Sequence, residues 1–407
     1  MTVIQPEPPR TGDATAVVLD LADDVVLRCV RDVHRHALHR AYALLPSAVP
    51  GVGLVAGAQE ALTGGVYAAV SGGLRAGGFV ARRLAARGGG GSVEATPRAR
   101  VLRASVNAYR GDRLTGQADP YALPTTVRSA AGDVPLTAAA LAAAFPHIRP
   151  DIVVLVHGLA ETDESWRHGE RSRGTTYPLD LERSGVATPV LVRYSSGRPV
   201  WENGIALAGL LDRLEAAWPM PVRRMHLVGH SMGGLVVRSA AAHGLADGMP
   251  WVARVRTLVT LGTPHLGAPL ERAAHLGSRV LRVAEASRPF ADLLDSRSAG
   301  IVDLRHGHTS EADHLGRDLY RQWGADAAPL APLPHVAHHF VAAAAAPGPD
   351  TVVSRGVGDL MVPVGSATFR RSGGVHVPDA IVHRVRGTHQ SLLNHPDVAA
   401  ALPRWLA

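Results

Sequence analysis

The chain has 407 residues, 46% of them apolar, which is enough for one large buried core and an accessory region. Its formal net charge is +7, but the arginines are scattered and no lysine occurs, so we expect no nucleic-acid partner. The one cysteine, Cys29, excludes an intramolecular disulfide and is typical of a reducing compartment.

The first residues of the chain lack a basic start followed by an apolar core, and no uncharged apolar run reaches about 18 residues. We therefore expect a cytoplasmic protein with no secretory signal and no membrane span. The net positive charge leaves open a peripheral contact with an anionic membrane, and apolar N-terminal helices are the expected place for it.

The N-terminal part divides into three segments. Residues 1–15 are polar and proline-rich, which predicts a disordered tail. Residues 16–87 place apolar side chains at helical spacing, with frequent Gly and Ala after residue 51, and predict a helical region. This region is interpreted either as a hairpin packed on the main domain or as a lid-like or membrane-surface element. The Gly-rich residues 88–100 predict a linker before a main domain at 101–407.

The main domain alternates apolar strands with helices. The patterns predict strands at 101–109, 121–130, 152–158, 189–195, 225–231, 255–264, 338–346 and 381–387. They predict helices at 136–145, 201–218, 233–244 and 396–407. Alternation at this spacing indicates an α/β fold with a doubly wound, mostly parallel sheet.

The strongest motif surrounds Ser231. Gly229, His230, Ser231, Met232 and Gly233 match the pattern G-x-S-x-G, between a predicted strand and a predicted helix. In that context the serine lies on a strained turn as a nucleophile, and the helix N-terminus favours developing negative charge. The alternative is a glycine-rich turn with a bystander serine.

A catalytic serine needs a base and an acid, which follow it along the chain in this arrangement. His389 comes directly after the last predicted strand and is the expected base, whereas His383 and His395 are less suitably placed. Asp359, in a glycine-flanked loop, is the expected acid, with Asp350 as its rival in a Pro-Gly turn.

The tetrahedral intermediate needs two backbone donors. We expect the N–H of Met232, next to the nucleophile, and the N–H of Leu159, in the loop after the strand at 152–158. An ordinary turn at the end of that strand is the alternative for the second donor. Trp166 and Trp201 fit either the substrate cleft or the core.

No cofactor and no metal are expected. The histidines at 306, 308, 335, 338 and 339 do not stand at an established metal-ligand spacing, so they are interpreted as loop or solvated side chains. The run of four glycines at 88–91 lacks the residues of a phosphate-binding loop.

Several motifs occur in the order of a known family. They are VHGLAETDESW, YSSGRPVWENGIALAGLL, LVGHSMGGLVVRSA, LVTLGTPHLGAPL, SAGIVDLRHG, GDLMVPVGSA and GTHQSLLNHPDV. Residues 100–407 thereby resemble the bacterial lipase/esterase group of α/β-hydrolases, which is similar to the PGAP1-like and DUF676-type serine esterases. The resemblance implies Ser231, Asp359 and His389 as a triad, and a helical lid at about 265–335.

The sequence thus predicts a serine hydrolase that cleaves a carboxylic ester, lipid-like in character, through an acyl-enzyme. Two alternatives remain open: an acyltransferase with the same triad, and an inactive hydrolase-fold binding module. The expected partner is a small-molecule or lipid ester substrate, and the oligomeric state is not determined.

Overall fold

The computed structural model describes residues 10–27, 52–112, 114, 121–267, 298–315, 330–345, 358–371, 374–375, 377 and 379–407. The predicted lid at about 265–335 lies mostly outside these residues, as do its two expected helical stretches, SRVLRVAEA and FADLLD. The rival acid Asp350 also lies outside them.

Eight strands form the main sheet of the described chain. They are β1 Thr126–Ser129, β2 Gly132–Asp133, β3 Asp151–Val156, β4 Thr188–Arg193, β5 Arg224–His230, β6 Val255–Leu261, β7 Ala337–Ala344 and β10 Ile381–Arg386. Their order is β10-β7-β6-β5-β3-β4-β1-β2. The six strands from β10 to β4 run parallel, whereas β1 is antiparallel to both β4 and β2. A separate ribbon pairs β8 Arg370–Arg371 with β9 Gly374–Val375.

Helices cover both faces of this sheet. In the main domain they are α4 Ala138–Ala144, α5 Glu170–Arg173, α6 Tyr177–Ser184, α7 Val200–Ala217, α8 Met232–Ala246, α9 Ala299–His306, α10 Val364–Ala367 and α11 Pro396–Leu406. Short 3₁₀ turns occupy Asp163–Arg167, Pro250–Arg254, Glu311–Asp313 and Gln390–Leu393. The doubly wound, mostly parallel α/β sheet predicted from the sequence is confirmed.

The central strand β3 shows why the sheet needs two covering layers. All six of its residues are buried, and successive side chains point to opposite faces. Val154 packs with α7 and α8 in one core, whereas Val153 and Leu155 pack with α6 and α11 in another. The continuous apolar run in the sequence is therefore the signature of a strand buried on both faces.

The predicted strand at 101–109 is wrong, because these residues belong to a helix, α3 Pro97–Arg110. The side chain of Thr96 accepts a hydrogen bond from the N–H of Ala99, and Pro97 occupies the first turn, where its missing N–H costs nothing. These start signals lie inside the segment predicted as a linker, so the apolar pattern at 101–109 was taken for a strand.

The N-terminal residues also differ from the prediction. Helix α1 Thr11–Leu21 begins inside the expected disordered tail, and a π-helical turn Ala22–Leu27 continues it. Helix α2 Val52–Ala86 packs against α1 and is joined to this segment by the ion pairs Arg75–Asp23 and Arg82–Asp20. Within the described chain, no helix is both long enough and apolar enough to cross a bilayer.

The predicted linker at 88–100 carries contacts to the main domain. Glu94 accepts hydrogen bonds from Arg103 on α3 and from Arg193 on β4. Arg10 pairs with Ser92 in an isolated bridge, so the start of α1 is held against the same segment. Tertiary ion pairs thus order a glycine-rich stretch whose local sequence favours no regular structure.

Candidate active site

Ser231 occupies a sharp turn between β5 and α8. Its backbone has φ 51° and ψ −123°, a left-handed conformation that is uncommon for a residue with a side chain. A Cβ on Gly229 would lie 2.5 Å from the nitrogen of Gly234, and one on Gly233 would lie 2.3 Å from the carbonyl oxygen of Val156. Glycines flanking the serine therefore let the helix press against the strands and fix the turn.

Asp359 and His389 are brought together from the loops after β7 and β10. Nδ1 of His389 lies 2.7 Å from Oδ2 of Asp359, and both side chains are buried. The other carboxylate oxygen accepts hydrogen bonds from the N–H groups of Met361 and Val362. The N–H of His389 also donates to the backbone oxygen of Asp359. The aspartate is thus fixed on both sides and orients the imidazole.

The hydrogen bond with Asp359 shifts the pKa of His389. Burial lowers the pKa of the imidazole, but the Asp359 carboxylate and its hydrogen bond outweigh burial and raise the pKa above its usual value of 6.5. In the neutral ring, Nδ1 carries the proton shared with Asp359 and Nε2 is free to accept one. The arrangement therefore suits a general base.

Gly262, directly after β6, makes room for the pair. Its φ is +60°, and a Cβ there would lie 3.1 Å from both Oδ2 of Asp359 and Nδ1 of His389. The N–H of Ser231 donates to the carbonyl oxygen of Leu261 over 2.8 Å. The three predicted residues therefore surround the end of β6, although they are far apart along the chain.

The hydroxyl of Ser231 makes no hydrogen bond with His389 within the described residues. Such bonds are often long in unliganded active sites and tighten when substrate binds. The serine itself is buried, with 5% of its surface exposed.

The two expected oxyanion donors lie beside the serine. Met232 is the first residue of α8, where the N–H has no partner inside the helix. In the opposite loop, the N–H of Gly158 bonds to Glu161 and that of Ala160 bonds to Ser196, whereas the Leu159 N–H between them makes no bond to any residue that the structure describes. A Cβ on Gly158 would come within 3.0 Å of the Ser231 Cβ, so this loop lies close to the nucleophile.

A second carboxylate–imidazole pair, which was not predicted from the sequence, supports this loop. Oε2 of Glu161 accepts the Gly158 N–H over 2.7 Å and lies 3.1 Å from Nδ1 of His230. Nε2 of His230 lies 3.3 Å from the carbonyl oxygen of His389. Burial raises the pKa of Glu161, but His230 and the Gly158 N–H outweigh it and lower the pKa to about 2. The available signal was a titratable side chain inside each of the two motifs, Glu161 in VHGLAETDESW and His230 in G-x-S-x-G.

The histidines passed over in the sequence have other contacts. His383 packs on Trp405 and lies 3.1 Å from a ring nitrogen of His339. His395 caps α11 through the N–H of Asp397. Neither residue hydrogen-bonds with Asp359 in the described structure.

The two tryptophans proposed for the cleft have different environments. Trp166 is fully buried in the core, where its ring lies near those of Tyr177 and His230. Trp201 meets the ring of His314 edge-on. Trp166 therefore packs in the core and does not line the substrate cleft.

Comparison with known proteins gives one family match. Residues 211–304, from α7 through β6 to α9, match the model described as the PGAP1-like alpha/beta domain. This range includes Ser231 but neither Asp359 nor His389. Comparison with curated proteins gave no significant match.

Solved structures include several similar chains. The mature form of lipase BlEst2 from Bacillus licheniformis is 18% identical, with 62% of this chain and 91% of that chain covered and a TM-score of 0.41. A lipase-esterase related protein from Clostridium acetobutylicum is 17% identical, with 64% and 96% covered and a TM-score of 0.36. RedJ, a thioesterase from the prodiginine biosynthetic pathway in Streptomyces coelicolor, is 22% identical, with 64% and 91% covered and a TM-score of 0.36. With scores this low, none of these likenesses bears on activity or substrate.

Proposed function

We propose that this chain, a member of the α/β-hydrolase superfamily, is a serine hydrolase that cleaves carboxylic esters with Ser231, His389 and Asp359 as its catalytic triad. The observation that carries the proposal is the buried hydrogen bond between Asp359 and His389, which lies beside the strained turn of Ser231. A strained serine next to an oriented imidazole is the arrangement that nucleophilic acyl transfer requires.

In the first half of the reaction, Nε2 of His389 takes the proton of the Ser231 hydroxyl as the oxygen attacks the ester carbonyl. Asp359 holds the Nδ1–H tautomer and stabilises the imidazolium that forms. The N–H groups of Leu159 and Met232 donate hydrogen bonds to the oxyanion of the tetrahedral intermediate. His389 then gives its proton to the leaving alcohol, and the acyl group remains on Ser231.

In the second half, His389 removes a proton from water, which attacks the serine ester. Collapse of the second tetrahedral intermediate releases the carboxylic acid and returns the proton to Ser231. No step of this sequence calls for a cofactor or a metal ion.

A lipid-like ester is our proposed substrate class. Its support is the order of the lipase/esterase motifs and the length of the segment at about 265–335, where a lid over an acyl pocket is expected. Initial rates on p-nitrophenyl esters from acetate to palmitate test this proposal: kcat/KM should rise with acyl length. If kcat/KM is highest with the acetate ester, the substrate is not lipid-like, but the proposed ester hydrolysis is not contradicted.

The triad itself is tested with a fluorophosphonate probe. Wild type should be labelled and Ser231→Ala should not, with ester hydrolysis reduced by about 10⁴-fold or more in the variant. Ser391→Ala is the matched control, because this serine lies two residues from His389 and bonds only within its own turn. Equal labelling of wild type and Ser231→Ala refutes the assignment.

A further inference from the structure

A compact group of three titratable side chains lies at the end of α9 and in the segment after it. Asp303 is on α9, His308 follows the helix, and His314 comes after the 3₁₀ turn Glu311–Asp313. We refer to these three residues as the Asp303 cluster. None of them takes part in the proposed ester hydrolysis.

The donor atoms of the Asp303 cluster already approach a metal-binding geometry. Oδ1 of Asp303 lies 2.7 Å from Nε2 of His314 and 3.4 Å from Nδ1 of His308. One donor atom from each residue falls within 4.8 Å of the other two. In a tetrahedral zinc site with bonds of about 2.0–2.1 Å, neighbouring donors are about 3.3 Å apart. Small side-chain movements would therefore place all three around one ion.

The environment of the His308 side chain points to a ligand. Its side chain is only 2% exposed, yet neither ring nitrogen makes a hydrogen bond to any described residue. A buried polar group without a partner is costly, and such groups are rare in folded proteins. A metal ion bound between His308, Asp303 and His314 would give one of these nitrogens its missing partner.

The surroundings orient the carboxylate for this role. Oδ2 of Asp303 accepts the N–H of Val200 over 2.7 Å, so that Oδ1 is left for the two imidazoles. The ring of Trp201 contacts the ring of His314 edge-on, and the two ring centroids are 6.3 Å apart. The side chain of His314 is 16% exposed, which gives an ion a route from solvent. Oriented outer contacts and an entry path are both features of real metal sites.

We propose that Asp303, His308 and His314 bind one divalent transition-metal ion, with zinc as the best fit and water in the fourth position. Two imidazole nitrogens and one carboxylate oxygen suit zinc, whereas calcium and magnesium prefer oxygen ligands alone. The ion links α9 to the segment after it, and the hydrogen bond from the Val200 N–H to Asp303 connects this site to the first turn of α7. Because its three ligands lie on α9 and in the segment after it, binding of the ion should stabilise this part of the fold.

The test measures zinc directly on the full-length protein. Wild type is stripped with EDTA, dialysed and titrated with zinc against a chromophoric chelator. We expect one zinc per chain with Kd below about 1 μM, and a rise in Tm on zinc addition. His308→Ala and His314→Ala should each weaken zinc binding by at least about 100-fold and remove the rise in Tm.

Two control variants separate this site from other histidines. His306→Ala removes a ring that stacks on His308 at 5.1 Å but contributes no donor atom to the cluster, and zinc binding should be unchanged. His383→Ala breaks the close pair with His339 and should also bind zinc like wild type. Each variant is first checked for folding by circular dichroism, and His314→Ala provides a ligand variant at a half-buried position.

Cobalt(II) gives an independent readout, because a tetrahedral site with nitrogen and oxygen donors produces a visible absorption that should be absent from His308→Ala. The proposal is overturned if wild type binds zinc no tighter than about 10 μM. It is also overturned if His308→Ala and His314→Ala both bind like wild type, or if His383→Ala alone abolishes binding.

Discussion

The imidazole of His389 responds to two carboxylates that act in different ways. Asp359 contacts it directly and fixes its tautomer. Glu161 is farther away and reaches it through His230, whose Nε2 faces the His389 carbonyl oxygen. Both negative charges raise the pKa of His389 against the lowering effect of burial. Substitutions at these two positions should therefore have different consequences.

Asp359→Asn should reduce kcat by about 10⁴-fold while the protein stays folded. The amide oxygen can still accept the N–H groups of Met361 and Val362, but the amide nitrogen facing Nδ1 favours the wrong tautomer of His389. Steady-state kinetics and thermal melting measure the two effects. A loss of less than about tenfold with unchanged Tm contradicts the role of Asp359.

Glu161→Gln should move the acid limb of the kcat/KM profile to lower pH. Catalysis needs neutral His389, and the negative charge of Glu161 stabilises its protonated form, so removing that charge lowers the pKa. Glu164→Gln is the matched control, since Glu164 lies in the same segment but pairs with Arg100. An unchanged limb, or one shifted to higher pH, is inconsistent with this electrostatic coupling.

Among the elements, the contact between α7 and α8 positions the nucleophile, because α8 begins at the residue after Ser231. The two helices approach closely at Gly204 on α7, where a Cβ would lie 2.2 Å from Oγ of Ser239. That hydroxyl donates to the carbonyl oxygen of Thr309. A second glycine of α7, Gly209, meets only the end of the Arg213 side chain at 3.5 Å.

The two glycines should respond oppositely to alanine. Gly204→Ala should lower the free energy of unfolding by about 1–3 kcal/mol, because the added methyl group overlaps Ser239. Gly209→Ala should raise it by about 0.5–1 kcal/mol, because alanine is the better helix former and the site has space. Urea unfolding of both variants measures the difference. Destabilisation by Gly209→Ala as large as that by Gly204→Ala would contradict the packing described.

On the scale of the whole molecule, ion pairs connect helix α3 and the segment before it to the sheet, whereas helix α2 exposes a stripe of apolar side chains. Glu94 links α3 to β4 through Arg103 and Arg193. Large apolar side chains at helical spacing lie exposed along one side of α2. They are Leu62, Val66, Val70, Val80 and Leu84. This stripe is the place where the predicted peripheral contact with an anionic membrane can be tested.

The double substitution Leu62→Asp and Val66→Asp should reduce co-sedimentation with phosphatidylserine-containing liposomes several-fold, because it places charge on the stripe that would enter the interface. Leu245→Asp is the control, as this leucine is similarly exposed but lies on α8. Point substitutions are preferable to truncation near residue 98, which would remove Glu94 and its bonds to α3 and β4. Absence of wild-type binding, or equal binding by all three proteins, excludes the stripe as a membrane contact.

The sequence by itself determined the sheet and the local shape of the nucleophile turn. Short apolar runs between turn residues, such as residues 152–156, are typical of a strand covered on both faces, and the glycines around Ser231 act within a few residues of it. The position of His389 after the last strand followed from the same pattern, because the carboxyl ends of parallel strands share one edge.

Only the tertiary structure decided the features that depend on distant partners. The wrong interpretation of residues 101–109 as a strand has a local cause instead, since the helix start signals, Thr96 and Pro97, lie in a segment predicted as a linker. The Glu161–His230 pair and the Asp303 cluster were missed because their members lie on separate elements, and sequence spacing carries no information about contacts that the fold creates. Periodicity reports burial within one element, whereas the charge of a buried group depends on what the folded chain places beside it.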